Sequence, residues 1–241
     1  MLEYIIKKRL LYLFVASTVV VFSHCSVQHK IDKDKPFIEL FNGKNLDGWE
    51  GDPVYWGVEN GILTGEVTPA TLLKRNSFII WKGGLTKDFE LMADYRVSGH
   101  GNSGINYRSI ILDTIPFAMK GYQADIDGEN KWSGQNYEER GRQFLALRGQ
   151  KAVLENNQPP LVTESLGSKD SLLAFIKNGD WNTYRLVVKG NRMQHYINGV
   201  LMSDVTDNDT INRKMSGYLG VQVHVGPPMK IEYRHFRYKE L

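Results

Sequence analysis

The stretch Phe89-Glu90-Leu91-Met92-Ala93-Asp94-Tyr95-Arg96-Val97 puts Phe89, Leu91, Ala93, Tyr95 and Val97 on one side of an extended chain and the charged residues mainly on the other. A repeat of two is the signature of a β-strand with one buried face. Tyr184–Lys189 repeats the pattern, and Leu219–Val225 and Lys230–Tyr238 add two more strands near the C-terminus. Asn198-Gly199 sits between apolar pairs in Met193–Ser203, and Asn60-Gly61 lies inside Trp56–Gly65. Both dipeptides tolerate positive φ at two successive residues, which a tight hairpin needs. Helical periodicity is scarce, with room for a turn or two over Leu172–Lys177. No internal repeat interrupts the series, and residues 128–170 read as long loops. Short strands with regular turn signals predict an all-β sandwich or barrel. With 241 residues, 41% hydrophobic and 24% charged, the chain can bury the core of one such domain.

The N-terminal residues read as an address. Lys7-Lys8-Arg9 precedes the apolar run Leu10–Phe22, and Cys25 follows directly. The apolar run is short for a membrane span and fits a secretory signal. A cysteine at that place resembles a bacterial lipobox, which would make Cys25 a lipid anchor, although His24 stands where a small residue is usual. A plain signal peptide or an uncleaved anchor are the alternatives, and all three export the remainder. The expected organisation is a signal over 1–25, a polar tether over 26–35 and a folded domain over 36–241. Cys25 is the chain's one cysteine, so no disulfide forms within it.

Three predicted strands carry unusual polar faces. Asn106 and Arg108 share one, Gln123, Asp125 and Asp127 a second, Gln222 and His224 a third. A merely solvated face is richer in Lys, Glu, Thr and Ser, so amides, acids and an imidazole together point to a binding groove, with Tyr122, Trp132 and Tyr137 available to stack on sugar rings. Taken singly, each strand also fits an ordinary wet face. Asp125 and Asp127, at i and i+2, lie ~6.5–7 Å apart on one strand face. They read as an acid–base pair, as solvated acids at a strand end, or, with Gly128, as half of a calcium loop. Glu138 and Glu139, followed by Arg140 and Arg142, read either as a catalytic carboxylate with charge partners or as a charged loop.

Other chemistries are excluded. Gly99-His100-Gly101-Asn102-Ser103-Gly104 fits a dinucleotide fingerprint, but a strand follows where that motif requires a helix, so it reads as a hairpin-like turn. Ser103 lacks the context of a nucleophile elbow. His195, His224 and His235 are too scattered for a zinc motif. The net charge of +3 is spread along the chain, with no basic stripe for nucleic acid.

Several blocks, in order along the chain, resemble the 3-keto-disaccharide hydrolase domain family: Phe41–Trp49, Asp88–Leu91 with Tyr95-Arg96, Asn102–Arg108, Gly121–Ile126, Trp181-Asn182 with Tyr184, and Val221–His224. The likeness spans residues 37–241. It implies a concanavalin-like jelly-roll β-sandwich of two antiparallel sheets and an activity on 3-keto-glycosides. There, a base removes the C2 proton, the C1 substituent leaves and water adds. The matching blocks imply Asp125 or Glu138 as base, His224 as acid or electrophile, and Arg108 with Gln123 as donors to the enolate and hydroxyls. Asn106, Asp127, Trp132, Tyr137, Arg142 and Gln222 complete the expected sugar-binding set. No cofactor is required on this reading, with calcium as an option. The expected partner is a small oligosaccharide or glycoside, and the expected location the periplasm or the outer surface, membrane contact being only through Cys25. Jelly rolls also serve as lectins, so a non-catalytic carbohydrate-binding protein is the rival reading.

Overall fold

The structure, a computed structural model, describes residues 35–241. The expected signal and tether, with Cys25, therefore lie outside the described residues, apart from Lys35.

The chain forms β1 (Ile38–Glu39), β2 (Trp49–Glu50), β3 (Trp56–Glu59), β4 (Ile62–Val67), β5 (Ser77–Thr86), β6 (Phe89–Val97), β7 (Asn102–Ile111), β8 (Met119–Asp127) and β9 (Asn136–Glu139). Then come β10 (Gln143–Ala146), β11 (Gln150–Leu154), β12 (Leu161–Ser165), the short helix α1 (Lys169–Leu173), β13 (Asn182–Lys189), β14 (Arg192–Ile197), β15 (Val200–Asp207), β16 (Gly217–Val223) and β17 (Met229–Glu240). Ten strands make one sheet, in the order β12-β11-β15-β14-β13-β6-β17-β4-β3 with β1 on β17. Seven make the other, in the order β10-β9-β8-β7-β16-β5-β2. The result is a jelly-roll β-sandwich.

The alternation anticipated for Phe89–Val97 holds throughout β6, where every odd-numbered residue is buried. Those side chains meet Ile105 and Tyr107 of β7, Tyr122, Ala124 and Ile126 of β8, and Val221 and Val223 of β16 in one continuous core. Asn60-Gly61 joins β3 to β4 and Asn198-Gly199 joins β14 to β15, all four residues at positive φ.

Four expectations change. The sheets are not wholly antiparallel, because β11 runs parallel to β15. Residues 128–170 hold four strands, whose short length and polar composition hide the period. The Gly99–Gly101 turn does not close a hairpin; it carries the chain from β6 in one sheet to β7 in the other. The helical turn lies at Lys169–Leu173, capped by the Ser168 hydroxyl, a few residues before the expected Leu172–Lys177.

Candidate active site

In β8 the core-facing set is Tyr122, Ala124 and Ile126, so Gln123 and Asp125 must point outward. Gly104 of β7 lies opposite Asp125, and a β-carbon there would meet the Gln123 side chain at 2.6 Å. The missing side chain lets Gln123 lie flat on the sheet and reach its neighbour.

The outcome is a line of amides ending on a carboxylate. Gln222 Nε2 donates to Gln123 Oε1 at 3.2 Å, and Gln123 Nε2 donates to Asp125 Oδ1 at 2.7 Å. From the turn before β9, Gln135 Nε2 donates to Asp125 Oδ2 at 2.5 Å. No Lys, Arg or His forms an ion pair with Asp125 among the described residues. Burial pushes its pKa up to about 7; the bonds from Gln135 and Gln123 oppose that rise, and the charges of Glu139 and Asp127 add to it.

Asp125 lines an open cleft of about 500 Å³ with Gln123, Gln135, Glu139 and His224. On β9, Tyr137 and Glu139 share the outward face because Asn136 points inward to the Tyr107 hydroxyl. Burial raises the Glu139 pKa, opposed by an Asn76 amide at 3.3 Å and by the charges of Arg140 and His224. Asn76 also accepts from the Val225 N–H, which holds the backbone beside His224. Trp132, Phe144 and Tyr137 form an aromatic wall, with ring centroids 5.5 Å apart for Trp132–Phe144 and 5.3 Å for Tyr137–Phe144. A carboxylate poised near neutrality, a second carboxylate, an imidazole and exposed ring faces suit proton transfer on a polar, ring-shaped ligand.

Of the residues expected from sequence, Gln123, Asp125, Trp132, Tyr137 and His224 converge on this cleft. Seven others do not line it. Arg108 has φ 46° in a β-bulge, which turns it off the face. Its guanidinium is buried against the carbonyls of Lys87 and Gly190 and the Asp88 carboxylate, so it cannot donate to a ligand in the cleft. Glu138 is one residue out of phase with Tyr137 and points inward to Arg142 at 2.6 Å. Arg142 in turn binds Asp207 and Asp209, so both are structural. Asn106 is fully buried beside Gln123, and Gln222 is buried behind it.

Asp127 directs its carboxylate at the next turn, accepting the N–H groups of Glu129, Lys131 and Trp132. Both of its oxygens thus serve to fold that turn. Among the described residues, no group of three His, Cys, Asp or Glu side chains is placed to hold a metal ion. Tyr122 is a core residue whose hydroxyl donates to Asp207 at 2.5 Å. Sequence reasoning missed Gln135, Asn76, Asn102 and Phe144, and passed over Glu139 for its neighbour; Arg140, weighed there as a charge partner, does line the cleft. Tyr137 held the signal for Glu139, since residues two apart share a face.

Fold and site together define a jelly-roll domain whose seven-stranded sheet carries a carboxylate-bearing cleft. The chain belongs to the 3-keto-alpha-glucoside-1,2-lyase-like domain family, which it matches over residues 36–239. It is 24% identical over 195 residues to a 3-keto-disaccharide hydrolase of Bacteroides thetaiotaomicron, a match covering 70% of this chain and 58% of that protein's length. Its fold is similar to that of a glycosyl hydrolase candidate from Parabacteroides distasonis, with TM-score 0.56, 18% identity, and 86% and 100% of the two chains covered. It is also similar to that of a carbohydrate-binding module from Bacillus subtilis, with TM-score 0.52, 16% identity, and 80% and 96% covered.

Proposed function

We propose that the protein cleaves 3-keto-glycosides by elimination and hydration, with Asp125 as the base. A ketone at C3 acidifies the C2 proton. Asp125 takes that proton, and the C–H electron pair becomes the C2–C3 enolate. The enolate electrons then form a C1–C2 double bond as the C1–O bond breaks, and the leaving oxygen gains a proton from the side of the cleft that holds Glu139 and His224. Addition of water to C1 with return of a proton to C2 completes net hydrolysis. Arg140 and Asn102 line the same cleft as donors for the enolate oxygen. No oxocarbenium ion forms, so the two carboxylates need not obey the spacings of ordinary glycosidases.

The observation that carries this reading is Asp125 itself: an acid buried under two amide donors, with no cation, at the floor of an open cleft. A fully paired carboxylate would be too weak a base at neutral pH. The family match and the curated relative's name support the substrate class. The order Lys7-Lys8-Arg9, Leu10–Phe22, Cys25 supports export and a lipid anchor at Cys25.

The test is incubation of the purified domain with a 3-keto-disaccharide and with the parent disaccharide. Release of monosaccharide from the keto sugar alone is the expected result. Binding of both sugars without turnover would instead make the protein a lectin.

A further inference from the structure

His195 plays no part in the proposed chemistry, yet it sits fully buried in the core and makes polar bonds to both sheets. It projects inward from β14 of the ten-stranded sheet. Its Nδ1 lies 3.2 Å from the Gln135 carbonyl, which belongs to the turn leading into β9 of the other sheet. Its Nε2 lies 2.8 Å from the Tyr107 hydroxyl, and Asn136 Nδ2 donates to that hydroxyl at 3.2 Å. A carbonyl only accepts, so Nδ1 carries the proton and Nε2 accepts from Tyr107. The chain of donors runs Asn136 to Tyr107 to His195 to the Gln135 carbonyl. That carbonyl also receives the Asp125 N–H at 3.3 Å, while the Gln135 side chain donates to Asp125 Oδ2.

We propose that His195 is a positioning residue, a neutral imidazole that pins the Gln135 backbone and so aims the Gln135 amide at Asp125. Burial drives the His195 pKa down to about 3, against the opposing pull of the Gln135 carbonyl and the Asp204 charge. The ring therefore keeps this one tautomer across the working pH range. Tyr107, Tyr184 and Asp204 are the other ionisable groups around it, and Arg192 is paired with Asp204. Around Asp125, Glu139 and Asp127 oppose ionisation and the Gln123 and Gln135 amides favour it. Loss of the Gln135 bond must then raise the Asp125 pKa.

The inference rests on Asp125 as the base, so its test reads Asp125 directly as well as through turnover. Two variants separate aim from bulk. In His195→Asn the amide nitrogen falls near the Nδ1 position and can still donate to Gln135. In His195→Gln it falls near Nε2 and cannot. Carbon-13 NMR of the Asp125 carboxyl should show a wild-type titration in the Asn variant and an upward shift of about one unit in the Gln variant. The rising limb of kcat/KM against pH should move with it, losing about tenfold at pH 6 and recovering at high pH. Tyr107→Phe, a milder change that leaves the core filled, should shift the same titration upward by less. Identical Asp125 titrations in wild type and all folded variants would overturn the positioning role. If instead the NMR titration shifts while the kinetic limb stays, the role stands and the reading of Asp125 as the base fails.

Discussion

The outward face of the ten-stranded sheet and the Asp125 position on the seven-stranded sheet treat a carboxylate in opposite ways, although Glu50 and Glu139 on the second sheet do meet cations. On the ten-stranded sheet every prominent carboxylate meets a cation or a hydroxyl. Glu232 takes two bonds from Arg96, Glu90 takes one from Arg185 at 2.6 Å, and Asp94 faces Thr183, His235 and Arg234. On the seven-stranded sheet Asp125 is met only by amides. The first arrangement is an ordinary outer face, in which partly buried acids are matched by cations at the surface and carry no reactivity. The second keeps a carboxylate out of water without neutralising it, which costs stability and leaves a base near neutral pH. An amide can hold a carboxylate in place while leaving its proton affinity high; a guanidinium holds it and lowers that affinity.

Substitutions on the two faces should therefore separate cleanly. The largest effect is expected for Asp125→Asn, which should cut kcat/KM on a 3-keto-disaccharide by ~10³-fold or more. The new amide can face Gln135 after that side chain flips, so the fold should survive. The folded pKa of Asp125 lies above its unfolded value, so the native state holds the proton more tightly and the wild type loses stability as pH rises from about 4 to about 7. Asp125→Asn should abolish that loss, and melting temperatures at pH 5 and pH 8 will show it. Glu139→Gln should lower turnover by ~10²-fold with little change in Tm, read by steady-state kinetics and calorimetry. Gly104→Ala, which forces Gln123 off the sheet, should cost ~10-fold in kcat/KM through a misdirected Asp125. Asp94→Asn on the other face should leave turnover unchanged and cost at most about 1 kcal/mol in denaturant unfolding. Comparable kinetic losses from Asp94→Asn and Glu139→Gln would erase the distinction between the faces.

The sequence showed the fold well because β6 and β13 keep strict alternation, and their buried side chains are the ones the period marks. It showed Gln123 and Asp125 for the same reason, since β8 is regular from Gly121 onward. Arg108 escaped because a bulge with positive φ at a non-glycine residue breaks the phase, and nothing in Asn106-Tyr107-Arg108 announces it. Glu138 and Glu139 could be ordered only through Tyr137, and β9 has four residues after an irregular turn, too few to fix a phase by period alone. Gln135 and Asn76 come from segments with no strand pattern and reach the cleft through tertiary folding. The pairing of Arg142 with Asp207 and Asp209 joins residues distant in sequence, and local spacing reads such charges as a loop.

Proton abstraction from C2 can be followed isotopically. Turnover of a 3-keto-disaccharide in deuterium oxide should yield a keto-monosaccharide carrying deuterium at C2, above an enzyme-free blank, and Asp125→Asn should remove both the label and the turnover. Product released at full rate with hydrogen retained at C2 would mean direct displacement at C1 and would contradict the account.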